Sequence, residues 1–276
     1  MSALAVTLYQ GRAGDHNHRA LVGARILGQA LADRLGVDPV VVGEPKAAID
    51  ERWEFELAAA REDLGLLAMA VDTSMAQGRR PISVLTRCAA ALPTIPIVMR
   101  HRPDACVVWF DAHADLNTPS TTPSSYLGGM ALAGVTGLWN SGFGAGLDLS
   151  QVILVGTREI DVPEQAVLDT HHVTVVPVQE GVADALTRAV GGRPTYVHLD
   201  CDVLEPGLVP TDYAVQGGLS LAQLREACAA IAMESVVGIE IAEFEDAGDD
   251  REAARAAALL LGALEPLLAC LAGRRS

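Results

Sequence analysis

Short apolar runs rich in β-branched residues alternate along this chain with longer Ala/Leu-rich stretches whose apolar positions recur at helical spacing. The runs predict strands over 4–9, 40–42, 82–85, 107–110, 151–155, 173–177, 195–200 and 236–241. The stretches between them predict helices near 17–35, 54–78, 88–101, 126–138, 163–170, 179–190, 220–232 and 250–272. Strand–helix alternation of this kind predicts βαβ units, and hence an α/β protein with a parallel sheet covered by helices on both faces. No linker, repeat or low-complexity stretch interrupts the alternation, so one three-layer αβα domain over 1–276 is expected. Gly142-Phe-Gly-Ala-Gly146 is expected to be a local loop.

Two of the apolar runs end in acidic clusters. Ala105-Cys-Val-Val-Trp-Phe110 leads into Asp111-Ala-His113-Ala-Asp115, and Tyr196-Val-His-Leu199 leads into Asp200-Cys-Asp202. Parallel sheets place their active sites just beyond the carboxyl ends of their strands. In extended backbone the i, i+2, i+4 spacing puts Asp111, His113 and Asp115 on one side. Clustered carboxylates repel one another unless cations neutralise them. Oxygen donors with one imidazole suit a hard or borderline divalent ion such as manganese, and bridging carboxylates can hold two ions about 3.5–4 Å apart. The alternative is that the aspartates merely start loops and cap helices. The long Thr/Ser/Pro-rich segment that follows, 111–126, has a length more often found in functional loops than in plain connections.

Composition narrows the choice of partners. A formal charge of -15 argues against nucleic acid and leaves a small molecule as the expected partner. No uninterrupted apolar stretch of about 18 residues appears, so no membrane partner is expected. The N-terminus lacks the basic region of a secretory signal, which makes a cytoplasmic location the expectation. The five cysteines are irregularly spaced and include no Cys-x-x-Cys pair, so they do not read as a disulfide framework. Cys106, Cys201, Cys228 and Cys270 read as core residues.

The clusters carry a resemblance. Phe-Asp-Ala-His-Ala-Asp-Leu-Asn-Thr-Pro (110–119) and Leu-Asp-Cys-Asp-Val-Leu-Glu-Pro (199–206) resemble the second and third signatures of the ureohydrolase superfamily, the arginases, agmatinases and relatives. Gly238-Ile-Glu-Ile-Ala-Glu243 resembles the strand ending in that family's substrate-orienting glutamate. The resemblance implies an arginase-like αβα fold with an eight-stranded, mainly parallel sheet. It also implies a two-manganese site that hydrolyses a guanidine group with metal-activated water, and assembly into a homo-oligomer, a trimer or hexamer. By the same resemblance Asp111 and Asp200 bridge or chelate the ions, and His113, Asp115 and Asp202 bind them. Asp115 also holds the nucleophile and passes its proton to the leaving amine, while Glu243 pairs with the guanidine.

The chain departs from the family at two places. The first family signature is Gly-Gly-Asp-His-Ser, and here the matching stretch is Val84-Leu-Thr-Arg-Cys88-Ala-Ala-Ala-Leu-Pro-Thr94, which puts Cys88 where the histidine belongs. Cys88 is either a thiolate ligand or a core residue in a vacated position. A soft thiolate holds hard manganese less firmly than imidazole does, so the ion on this side is expected to bind weakly. Arginases also carry a proton-shuttling histidine after the long loop, and Gly128 stands in its place. His16, His18, His101, His171, His172 and His198 lie outside the family's motifs and are expected to be surface or structural residues.

The substrate positions are kept. Asn117, Thr122 and Ser124 match the arginase positions that bind an α-carboxylate, and Asp161 and Glu164 match those that hold an α-amino group. An amino acid with a guanidine-like tail is therefore expected. Cys88 together with Tyr126-Leu-Gly-Gly-Met130 and Gly137-Leu-Trp-Asn-Ser-Gly-Phe-Gly-Ala-Gly146 resembles the branch of the family that acts on N-omega-hydroxy-L-arginine. Hydrolysis of that compound to L-ornithine and hydroxyurea is the expectation. Arginine or another guanidino acid is the second choice, and a catalytically impaired paralogue with a binding or structural role is the third. The family's threonine contact to the substrate tail is not evident around Thr211-Asp-Tyr-Ala-Val215.

Overall fold

A computed structural model of the chain describes residues 4–274. The strands are β1 (Leu4–Tyr9), β2 (Val40–Val42), β3 (Arg80–Val84), β4 (Cys106–Phe110), β5 (Val152–Val155), β6 (Thr174–Val176), β7 (Thr195–Asp200) and β8 (Val236–Ala242). They form one eight-stranded sheet in the order β2-β1-β3-β8-β7-β4-β5-β6. Every pairing among the described residues is parallel, where the sequence predicted only a mainly parallel sheet.

The helices are α1 (Arg19–Leu35), α2 (Trp53–Ala76), α3 (Ala91–His101), α4 (Ala131–Val135), α5 (Val162–His171), α6 (Val182–Val190), α7 (Leu221–Ala232) and α8 (Asp250–Leu271). Strand periodicity sorts the layers. Val108 and Phe110 of β4 pack into one core with α1, α6, α7 and α8, while Val107 and Trp109 pack into the opposite core with α2, α3 and α4. The helix α8 is long and apolar enough to cross a membrane by composition, with mean hydropathy 1.7. Its Ala257, Leu260, Leu264 and Leu268 face are instead buried in the first core.

Two predicted helices are shorter than expected. The 126–138 helix is reduced to a 3-10 turn at Gly128–Met130 followed by α4, which stops before Gly137 at φ 81°. Glycine at 128, 129, 134 and 137 gives this segment too little helix propensity to extend further. The 88–101 helix likewise begins with a 3-10 turn, Cys88–Ala90, before α3.

Register lines up a polar row inside the second core. Ser83 of β3 pairs with Glu240 of β8, Glu240 with His198 of β7, and His198 with Trp109 of β4. All four are fully buried.

Candidate metal centre and active site

The sheet order makes β3, β8, β7 and β4 neighbours, so the segments leaving their carboxyl ends converge. These segments carry Arg87-Cys88, Glu243, Asp200 to Asp202 and Asp111 to Asp115. Asp115 and Glu243 sit at φ 53° and 62°, a left-handed region unusual for residues other than glycine. Backbone strain of this kind gathers at functional sites, where the surrounding structure fixes it. Here the Glu243 N–H donates to the Thr86 carbonyl at 3.2 Å, and the Asp115 carbonyl accepts the Ala133 N–H at 2.9 Å.

Three groups of donors lie within 4.8 Å of one another: Cys88, Asp111 and Asp115; Cys88, Asp200 and Glu243; and Asp111, His113 and Asp202. Asp111 and Cys88 are each shared between two groups, which gives adjoining rather than separate ligand sets. The capping role expected of loop aspartates is present as well. Asp111 Oδ1 accepts the His113 N–H at 2.7 Å, and Asp200 Oδ1 accepts the Asp202 N–H at 2.7 Å. Asp202 accepts the Ala112 N–H at 2.9 Å and faces His113 Nδ1 at 2.9 Å. Trp109 Nε1 donates to Asp111 Oδ2 at 2.9 Å.

Asp115 Oδ2 is buried without a hydrogen-bond partner. A buried carboxylate oxygen left without a donor is costly, and a cation beside it removes the cost. The oxygen-rich donor set and this orphaned atom fit a divalent metal ion.

The electrostatics agree. Burial and then the neighbouring acids push Asp115 and Asp200 well above the carboxylate range, and Asp202 up to about 7. Burial works against protonation of His113, but hydrogen bonds to Asp111 and Asp202 overcome it and carry the imidazole up to about 11. Burial, then Asp200 and the other acids, push the Cys88 thiol up. These are the directions of concentrated buried negative charge, and a bound cation reverses the local logic.

Cys88 lies at the first turn after β3, as the sequence register predicted. Its Sγ is 3.1 Å from Asp200 Oδ2, which accepts the thiol proton, and 3.2 Å from His198 Nε2. Of the two roles expected for it, surface or structural, His198 has the structural one. Its ring stacks on Trp109 at 3.6 Å between centroids, and its Nδ1 meets Glu240 Oε1 at 2.7 Å. The other oxygen of Glu240 accepts from Thr94 Oγ1 at 2.6 Å and from the Tyr196 hydroxyl at 2.9 Å.

Glu243 is more tightly engaged than the sequence suggested. Oε2 meets Arg87 Nη1 at 2.7 Å, and Oε1 accepts the Cys88 N–H at 2.8 Å and the Tyr126 hydroxyl at 3.3 Å. Tyr126 stacks on His16 at 4.9 Å and lies 5.1 Å from the Tyr213 ring. A Cβ at position 128 would come within 2.4 Å of the Tyr126 ring, so the tyrosine fills the space that Gly128 leaves open.

The predicted substrate contacts divide in two. Asn117, Asp161 and Glu164 come together: Asn117 Nδ2 donates to Asp161 Oδ2 at 2.8 Å, and Glu164 accepts the Leu116 and Asp161 N–H groups, each at 2.9 Å. Glu164 thus ties the long loop to the start of α5. The Thr122 and Ser124 hydroxyls serve the loop itself, accepting the Ser125 and Tyr126 N–H groups at 3.1 and 3.2 Å.

Comparison with known proteins places this geometry. Residues 51–264 match the arginase family. The chain is 40% identical over 265 residues to the N(omega)-hydroxy-L-arginine amidinohydrolase of Streptomyces lavendulae, covering 96% of this chain and 97% of that one. It is 29% identical over 226 residues to the arginase of Bacillus caldovelox, covering 75% and 76% of the two chains. Among solved structures, arginase from Bacillus cereus superposes with a TM-score of 0.82 at 24% identity, covering 95% of this chain and 97% of that one. A family match over most of the chain and a relative this similar along nearly its whole length lead to one conclusion: the chain belongs to the arginase family and is an amidinohydrolase.

Proposed function

We propose that the protein hydrolyses the guanidine group of N-omega-hydroxy-L-arginine, giving L-ornithine and hydroxyurea, with manganese as its metal. What carries this reading is the donor set: the five oxygen and imidazole ligands converge, and the sixth position is a thiol, Cys88, rather than an imidazole. The amidinohydrolase of Streptomyces lavendulae, 40% identical, acts on this compound by its name.

Asp111, His113, Asp115, Asp200, Asp202 and Cys88 would hold two ions, the one beside Cys88 less firmly. When bound, manganese supplies a Lewis acid and lowers the pKa of water toward neutrality. Asp115 would take the proton of the attacking water and deliver it to the leaving amine. Glu243 orients the guanidine, and the loop carrying Asn117, Thr122 and Ser124, with Asp161 and Glu164, lies where the amino-acid end would bind. Assembly into a trimer or hexamer in the cytoplasm belongs to the same proposal, and sedimentation of the purified chain tests the assembly.

The deciding experiment is ornithine release by manganese-loaded protein with L-arginine and N-omega-hydroxy-L-arginine side by side. Preference for the hydroxylated substrate by at least about tenfold in kcat/KM, ~1.4 kcal/mol of discrimination, supports the proposal. Equal or better use of arginine makes the protein an arginase.

A further inference from the structure

Glu243 does not meet its substrate as a free carboxylate. Arg87, whose side chain is only 1% exposed, lies against it at 2.7 Å. Arg87 also touches Glu245 at 2.9 Å and Asp15 at 3.3 Å. These two compete weakly for its charge. Glu245 is shared with Arg19 at 3.2 Å, and Asp15 already accepts the Ala13 N–H at 3.0 Å. Glu243 makes the shortest contact, and among the neighbours of Arg87 it exerts the strongest pull on the guanidinium once burial is set aside.

The consequence is electrostatic. An unpaired buried carboxylate draws in a guanidinium cation, because charge attraction in a low-dielectric site is strong. A carboxylate already closed by a permanent guanidinium offers a neutral pair, and a second cation arriving there meets a like charge. Its oxygens can still accept hydrogen bonds from an uncharged guanidine. A hydroxyl on the terminal nitrogen withdraws electron density and makes the guanidine less basic than that of arginine, so it can enter uncharged.

We propose that Arg87 is a specificity-determining residue: by pairing with Glu243 it makes the site select a weakly basic guanidine and reject the guanidinium cation of arginine. This rests on the hydroxyarginine activity proposed above and explains it by basicity rather than by the hydroxyl as a metal ligand.

The test separates those two causes. Manganese-loaded protein is assayed with L-arginine, N-omega-hydroxy-L-arginine and L-canavanine, whose guanidinooxy group is weakly basic but carries no terminal hydroxyl. Both weakly basic substrates should exceed arginine by at least about tenfold in kcat/KM. Canavanine as poor as arginine, with hydroxyarginine still preferred, overturns the role of Arg87 and leaves the function standing. Arginine equal to hydroxyarginine removes both. A second arm uses Arg87→Gln combined with Glu245→Gln, which removes one positive and one negative charge together. The inhibition constant of arginine against hydroxyarginine should fall at least about tenfold, and the preference for hydroxyarginine should shrink by a similar factor. An unchanged ratio in the folded double variant overturns the proposal, and if that variant does not fold the three-substrate series decides.

Discussion

Replacing Tyr196 by phenylalanine measures what the buried row around Glu240 contributes to stability. The ring is fully buried in β7, and its hydroxyl donates to Glu240 Oε2 at 2.9 Å. Burial, and then Glu240, hold that phenol far above its ordinary titration range, so it remains a donor. Phenylalanine keeps the ring and its packing, so the loss is confined to one hydrogen bond. A bond to a neutral acceptor contributes about 0.5–1.5 kcal/mol, and one to an ionised acceptor about 1.5–3 kcal/mol. Glu240 Oε2 accepts from Thr94 and Tyr196, and its Oε1 lies 2.7 Å from His198 Nδ1. Leaving this buried acceptor one donor short is expected to cost about 1–3 kcal/mol. With a urea m-value near 3 kcal/mol/M, the midpoint falls by about 0.3–1 M at constant m. Thr94→Val should couple to it in a double-mutant cycle, because both hydroxyls share Oε2. A loss below about 0.5 kcal/mol, or strict additivity with Thr94→Val, would refute Glu240 as the acceptor that holds the row together.

Three further outcomes follow from the site. In metal-free protein Asp115, Asp200 and Asp202 hold protons that the unfolded chain releases near pH 4, so stability should fall as pH rises from about 4 to 7. Melting curves taken from pH 5 to 8 should decline without metal and flatten with saturating manganese, and a metal-free Tm that rises over this range contradicts the cluster. Gly128→Ala should dislodge Tyr126 from Glu243 and alter KM for guanidine substrates, whereas Gly129→Ala, with nothing within 4 Å of its Cβ, should be silent; equal effects at the two positions would count against the packing. Cys88→His should tighten manganese binding measured by calorimetry while costing the metal-free protein about 1–3 kcal/mol, since the larger ring must fit beside His198. Unchanged metal affinity would remove Cys88 from the ligand set.

The strands were legible because each is a short apolar run with its own local signature, and β1, β2 and β7 coincide with the predicted ranges. Their order was not, because pairings such as β3 with β8 join segments far apart in sequence. The acidic ligands were legible for a related reason: a charged cluster at the end of an apolar strand stands out locally. Glu240 was passed over, and His198 was read only as surface or structural, because each is a single polar residue in an apolar strand and their partnership spans 42 positions. The signal was there in weak form, since a polar residue at an inward-facing strand position requires a buried partner. Arg87 carried a similar signal, a lone cation in an apolar stretch beside Cys88. The helix expected over 126–138 failed where apolar periodicity was given more weight than its glycines.

The departures from the family pattern meet at one carboxylate. In the register that sets Cys88 in place of the signature histidine, Arg87 replaces the signature aspartate, a reversal of charge. Arg87 holds one oxygen of Glu243, and the Cys88 N–H and the Tyr126 hydroxyl hold the other. The tyrosine can reach it because Gly128 leaves its ring room. These changes reinforce one another. A thiol in place of imidazole weakens the hold on one manganese ion, and a weaker Lewis acid is better matched to a guanidine that is already less basic and more easily attacked. A paired Glu243 disfavours the more basic competitor. The leaving ornithine amine is the same for arginine and for hydroxyarginine, so with the shuttle histidine gone its proton must come from Asp115.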